Sequence, residues 1–132
     1  MVAAQQEATR LWWRERRSEF DLFVAEPVWR ESSGGDESAA RRRLRLIRAI
    51  RTIPLSDAAE ALAKTLAAGA KLPPKAALDA LHVALATVNK TNYLLTWNCT
   101  HLASAVFRPR LESVCRAAGY ELPVICTPQE FM

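Results

Sequence analysis

No run of about 18 consecutive apolar residues occurs in this chain, and the opening stretch MVAAQQEATRLWWRERR has no basic start followed by an apolar segment. Neither a membrane-spanning helix nor a secretory leader is expected, and the chain reads as a soluble, cytoplasmic protein with no membrane partner. Cysteine is sparse: Cys99, Cys115 and Cys126 are an odd number, without a C-x-x-C pair. That pattern suggests neither a disulfide framework nor a structural zinc site, and reduced thiols are expected. A zinc module built from Cys99, His101 and Cys115 or Cys126 matches no usual ligand spacing. Internal repeats and low-complexity segments are also missing, which excludes solenoid and disordered architectures.

Half the 132 residues are hydrophobic and about a quarter are charged, the balance of an ordinary globular chain. This length suits a single domain, which commonly holds about 100–150 residues. The net charge of +4 is modest, but 14 of the 18 basic residues are arginine, with runs at 14–17 and 41–51. Arginine binds phosphate through two parallel N–H groups and stacks on bases, so a nucleic-acid partner is admissible. A solvated helix face explains the same runs equally well.

Residues 3–20 have helix-forming composition. Ala4, Ala8, Leu11 and Trp12 fall on one face, and Arg10, Trp13, Arg14 and Arg17 on the other. Adjacent Trp12 and Trp13 cannot both face a core, and an exposed tryptophan among arginines suits base stacking or a protein contact. DLFVAEPV at 21–28 predicts a strand broken by Pro27 into a short helical turn closed by Gly34 and Gly35. Asp36 is positioned to cap an arginine-rich helix through residue 50, and TIPL looks like a brief strand. Ser56 or Asp57 starts a helix to about Ala68 that Gly69 can end. NYLLTW and LPVICT are further strands, separated by a helix closed by Gly119. The alternation of helices with strongly apolar strands predicts an α/β domain, with a parallel sheet covered on both faces.

Within that frame ALDALHVALATVNKTNYLLTWNCTHL, residues 77–102, sets Asp79, His82 and Asn98 into apolar surroundings. The spacing predicts a helix over 74–90 buried nearly all round. A carboxylate taken out of water needs a partner, a set of hydrogen bonds or a metal. Ligand sites in such folds gather beyond the carboxyl ends of strands, where Asn98 follows NYLLTW and Glu31 follows DLFVAEPV. Glu31, Asp79 and Asn98 are therefore expected at one sheet edge, where their oxygens suit Mg²⁺ or Mn²⁺, hard cations that keep several waters. His82 reads as a hydrogen-bonded packing residue. His101 reads as a site partner or an ordinary helix-start residue, and Thr96 as either a water-orienting or a plain strand-end residue.

The run DALHVALATVNKTNYLLTWNCTHLA, with VAEPVWRE upstream and VICTPQEF at the C-terminus, closely resembles PIN-domain nucleases of the VapC toxin type along essentially the whole chain. The resemblance implies a parallel five-stranded sheet flanked by helices. It also implies Mg²⁺- or Mn²⁺-dependent cleavage of RNA by clustered acids, and inhibition by a cognate antitoxin; a second copy of the chain is a further candidate partner. It places Glu31 at the acid after the second strand, Asp79 at the acid on the buried helix, and Asn98 where many relatives have Asp. The family opens with a central strand ending in Asp or Glu, and this chain begins with what resembles the helix after it. The expectation is that Met1 is not the natural start and that strands adjoining the missing one lack a neighbour. Little or no metal-dependent cleavage by this chain alone is then expected. The other reading is a non-catalytic protein that keeps the fold and binds RNA or a partner.

Overall fold

Apolar residues at helical spacing alternate along the chain with short β-prone runs. The computed structural model, which describes residues 2–96 and 104–131, turns them into α1 (Val2–Glu15), β1 (Phe23–Ala25), α2 (Glu26–Ser32), α3 (Glu37–Ile47) and β2 (Arg51–Ile53). There follow α4 (Asp57–Gly69), α5 (Ala77–Val88), β3 (Tyr93–Leu95), α6 (Phe107–Ala117) and β4 (Val124–Cys126). Short 3-10 turns occupy Arg17–Glu19, Pro74–Ala76 and Pro128–Phe131.

The strands pair in parallel, as their apolar character predicts, but as two separate pairs among the described residues. Phe23 lies opposite Arg51 and Ala25 opposite Ile53 in the first pair; Tyr93 lies opposite Val124 and Leu95 opposite Cys126 in the second. Parallel neighbours need a crossover rather than a hairpin. The chain supplies α2 and α3 for the first pair and α6 for the second. Between the pairs, α4 and α5 pack along each other, and α5 touches both β1 and β3. One core joins α4, α5 and α6 to the strands: Leu62 and Leu66 of α4, Val83 and Leu85 of α5, Leu111 and Cys115 of α6, with Ile53 and Ile125 from the strands. Alanines 59, 70, 80 and 84 fill the remaining buried positions and let the helices approach closely.

Several helix ends follow directly from residue chemistry. The Asp36 carboxylate accepts from Ala39 N at 2.9 Å and the Ser56 hydroxyl from Ala59 N at 3.2 Å, so both act as N-caps. Gly119 adopts φ +86° after α6, and Tyr120 N reaches back to Cys115 O at 2.8 Å, the closure that a left-handed residue permits. Arg43 donates to the carbonyls of Ser32 and Gly34, satisfying acceptors at the end of α2.

α4 ends at Gly69, as expected, but Lys71 rather than the glycine takes the left-handed turn, at φ 57°, and Leu72 N bonds to Ala67 O at 3.0 Å. Gly69 is also a packing residue, since a Cβ there would lie 2.6 Å from Val114 Cγ2 on α6. Two expectations are corrected. The opening helix stops at Glu15 rather than running to residue 20 and gives way to the 3-10 turn. Finally, α5 is not buried all round: Ala77 and Leu78 are exposed and Asp79, Leu81 and His82 half-buried, while Ala80 and Val83 to Thr87 are buried. Of the tryptophan pair, Trp12 is buried and stacks on Phe20, which meets Tyr93 edge-on, whereas Trp13 is half-buried under the Arg17 guanidinium.

Candidate functional site

The carboxyl end of β1 is marked by an acid. β1 stops at Ala25, so the residue immediately beyond it is Glu26, whose Oε2 accepts from Leu55 N at 2.6 Å. Because Leu55 lies just past β2, this carboxylate ties together the carboxyl ends of the first pair. Glu31 comes five residues later in α2, roughly 7.5 Å further along the helix axis at the usual rise. Its side chain is outside the described part of the structure. Pro27 stands at the second position of α2, where a missing N–H costs nothing.

Asp79 occupies the first turn of α5, behind Ala76, a cap residue that offers no side-chain hydrogen bond. A negative charge there lies at the positive end of the helix dipole, although Ala77 N already bonds to Pro74 O through the preceding 3-10 turn. Half-burial in this position is far less costly than burial in mid-helix, so Asp79 does not require a metal to exist. His82 lies three residues on, on the same helix face, and neither side chain is without a partner. Since α5 packs against β1 and β3, it connects this carboxylate with both strand pairs. Thr96 N donates to Cys126 O at 2.9 Å, extending the second pair by one bond at its carboxyl end. Glu130 closes that end, with Oε1 accepting from Thr127 N at 3.3 Å.

Asn98, Cys99 and His101 lie outside the described residues, so of the expected ligand set only the Asp79 side chain is placed. Among the described residues no three His, Cys, Asp or Glu side chains converge closely enough to hold a metal ion. Asp79 is the right type of donor for Mg²⁺ or Mn²⁺, which need only one or two carboxylates while retaining water. Cys115 and Cys126 are both buried free thiols. Burial pushes the Cys126 thiol up to about 11, with Glu130 acting in the same direction and Arg108 opposing it. Burial likewise raises Cys115, against a hydrogen bond with Thr87 that lowers it. Both remain protonated near neutrality, a state poorly suited to ligating zinc.

Comparison of the chain with protein-family models, curated proteins and solved structures finds no match.

Proposed function

We propose that this chain is a metal-dependent endoribonuclease of the PIN type, in the manner of VapC toxins, with Glu31, Asp79 and Asn98 facing the metal. RNA is the substrate in this reading and a cognate antitoxin the natural protein partner. The observation that carries it is the strand pairing. β1–β2 and β3–β4 are two parallel pairs with α5 against one strand of each. Asp79 then belongs to the helix that spans the division. A bound Mg²⁺ or Mn²⁺ would supply a water of lowered pKa and charge stabilisation at phosphate. Asp79 would hold the ion, and the apolar body of α5 would fix the carboxylate in place.

One observation favours a second reading, a PIN-fold module that binds RNA or a protein without cleaving. The placement of Asp79 in the first turn of α5, at the positive end of the helix dipole, gives the carboxylate a purely structural use. Incubation of a mixed RNA pool with high concentrations of the chain separates the two. Slow cleavage that requires Mn²⁺ or Mg²⁺ and disappears with chelator and in Asp79→Asn is expected. Cleavage that survives chelator or the substitution would overturn the nuclease reading, and RNA binding with neither metal-dependent cleavage nor Asp79-dependent Mn²⁺ binding would favour the module.

A further inference from the structure

The amino ends of β1 and β2 carry a second feature. A groove of about 430 Å³ runs between the end of α1 and the junction of α3 with β2, within the ~300–1,000 Å³ range of ligand clefts. Trp13, Arg17, Phe20, Asp21, Leu46 and Arg51 are among its lining residues. The Arg17 guanidinium lies 4.6 Å from the centre of the Trp13 ring, and that of Arg51 lies 5.7 Å from the centre of Phe23. Neither forms a salt bridge among the described residues, whereas Arg10, Arg14, Arg16, Arg41 and Arg116 each have a glutamate partner. A guanidinium resting on an aromatic face is partly desolvated and held in one orientation, which leaves its N–H fork available to an anion. Asp21 is the single carboxylate in the lining, and it lowers the positive charge of the groove without cancelling it.

We propose that this groove binds a segment of single-stranded RNA. A phosphate sits between Arg17 and Arg51, and a base extends the Trp13–Arg17 stack. Arginine planes and aromatic faces accept any base by stacking, while the paired guanidiniums hold the backbone. The groove precedes Phe23 and Arg51 in the chain, whereas Glu26 and Leu55 follow the other ends of the same strands. It is therefore a holding surface separate from the candidate acids. The choice of RNA rests on the proposed nuclease reading, and equilibrium binding in the presence of chelator keeps this test apart from cleavage.

The test is fluorescence anisotropy of a labelled oligouridylate strand in chelator across a range of salt. The proteins compared are the unaltered chain, Arg17→Gln/Arg51→Gln, Trp13→Leu, and Arg41→Gln/Arg116→Gln as an equal charge loss at arginines that each have a glutamate partner. Circular dichroism establishes that each is folded. Loss of the one phosphate held between the two arginines should reduce the log–log salt slope by about 0.7 for a single strand. Loss of one stacked aromatic should weaken binding by about tenfold. The Arg41/Arg116 pair should bind within about twofold of the unaltered chain, as expected of charges that make no phosphate contact. Absence of binding by the unaltered chain, or equal losses in the two arginine pairs, would overturn the site. Unchanged affinity in a folded Trp13→Leu would overturn the stacking, and if that variant does not fold, the surface arginine pair alone decides.

Discussion

α3 and α5 are nearly equal in length and opposite in character. α5 buries six of its twelve residues, whereas α3 buries only Ala40 of its eleven. The difference extends to the regions around them. Residues 57–126 supply most of the shared apolar core, through α4, α5, α6 and β4. The N-terminal region is joined by individual contacts: Trp29 Nε1 donating to Thr52 Oγ1 at 2.9 Å, Arg43 on the end of α2, and the Trp12–Phe20–Tyr93 ring contacts. Apolar burial fixes the frame on one side, and on the other arginines and aromatics remain at the surface where they can meet a ligand. Local stability should follow this division.

The largest expected effect compares leucines across it. Leu85→Ala opens a cavity at a side chain with no exposure and should cost about 2–5 kcal/mol, whereas Leu46→Ala, at a residue 53% exposed, should cost less than about 0.5 kcal/mol. Urea unfolding of both variants measures the contrast, and equal losses would erase it.

A substitution at the α4–α6 contact probes the core more finely. Gly69→Ala brings a methyl group onto Val114, whose β-branched side chain has little rotamer freedom on a helix. The expected loss is about 1–3 kcal/mol despite the better helix propensity of alanine. Adding Val114→Ala should recover part of it, and a stabilising Gly69→Ala would show that the two helices separate easily.

The smallest effect belongs to the buried thiols of the same region. The Cys126 thiol titrates at about 11 in the fold, above its ordinary value of 9.0. The folded state therefore holds its proton longer than the unfolded chain does. This contribution to stability is complete below about pH 9 and is lost as pH rises towards 11. Melting temperatures between these values should fall more steeply for the unaltered chain than for Cys126→Ala; parallel slopes would mean that the thiol is not desolvated.

The sequence made some features legible because their causes are local. Asp36, Ser56 and Gly119 act on neighbouring N–H and C=O groups, and all three were readable as helix ends. Strand positions were readable from their apolar β-prone runs, although each ordered strand is only three residues long. The packing role of Gly69 was hidden because its cause, Val114, is 45 residues away, and a glycine near a helix end resembles a terminator. The depth of Asp79 was overestimated for a related reason. Alanine and leucine next to it looked like core, yet Ala77 and Leu78 face solvent at the start of α5. The limit of β1 was less legible: the apolar run DLFVAEPV continues past Ala25, yet the strand stops there and Glu26 opens α2. Asn98 lies outside the described residues, so its expected position beyond β3 has no structural counterpart here.

The nuclease reading depends most directly on whether Asp79 holds a metal or only completes the start of α5. Isothermal titration with Mn²⁺ of the chain and of Asp79→Asn addresses this, with metal-free melts as the control. Binding by the unaltered chain is predicted to vanish in Asp79→Asn, while the metal-free stability falls by no more than the ~0.3–1 kcal/mol of a helix-end charge. Equal Mn²⁺ binding by both proteins, or none by either, would contradict the assignment and leave Asp79 as a structural carboxylate.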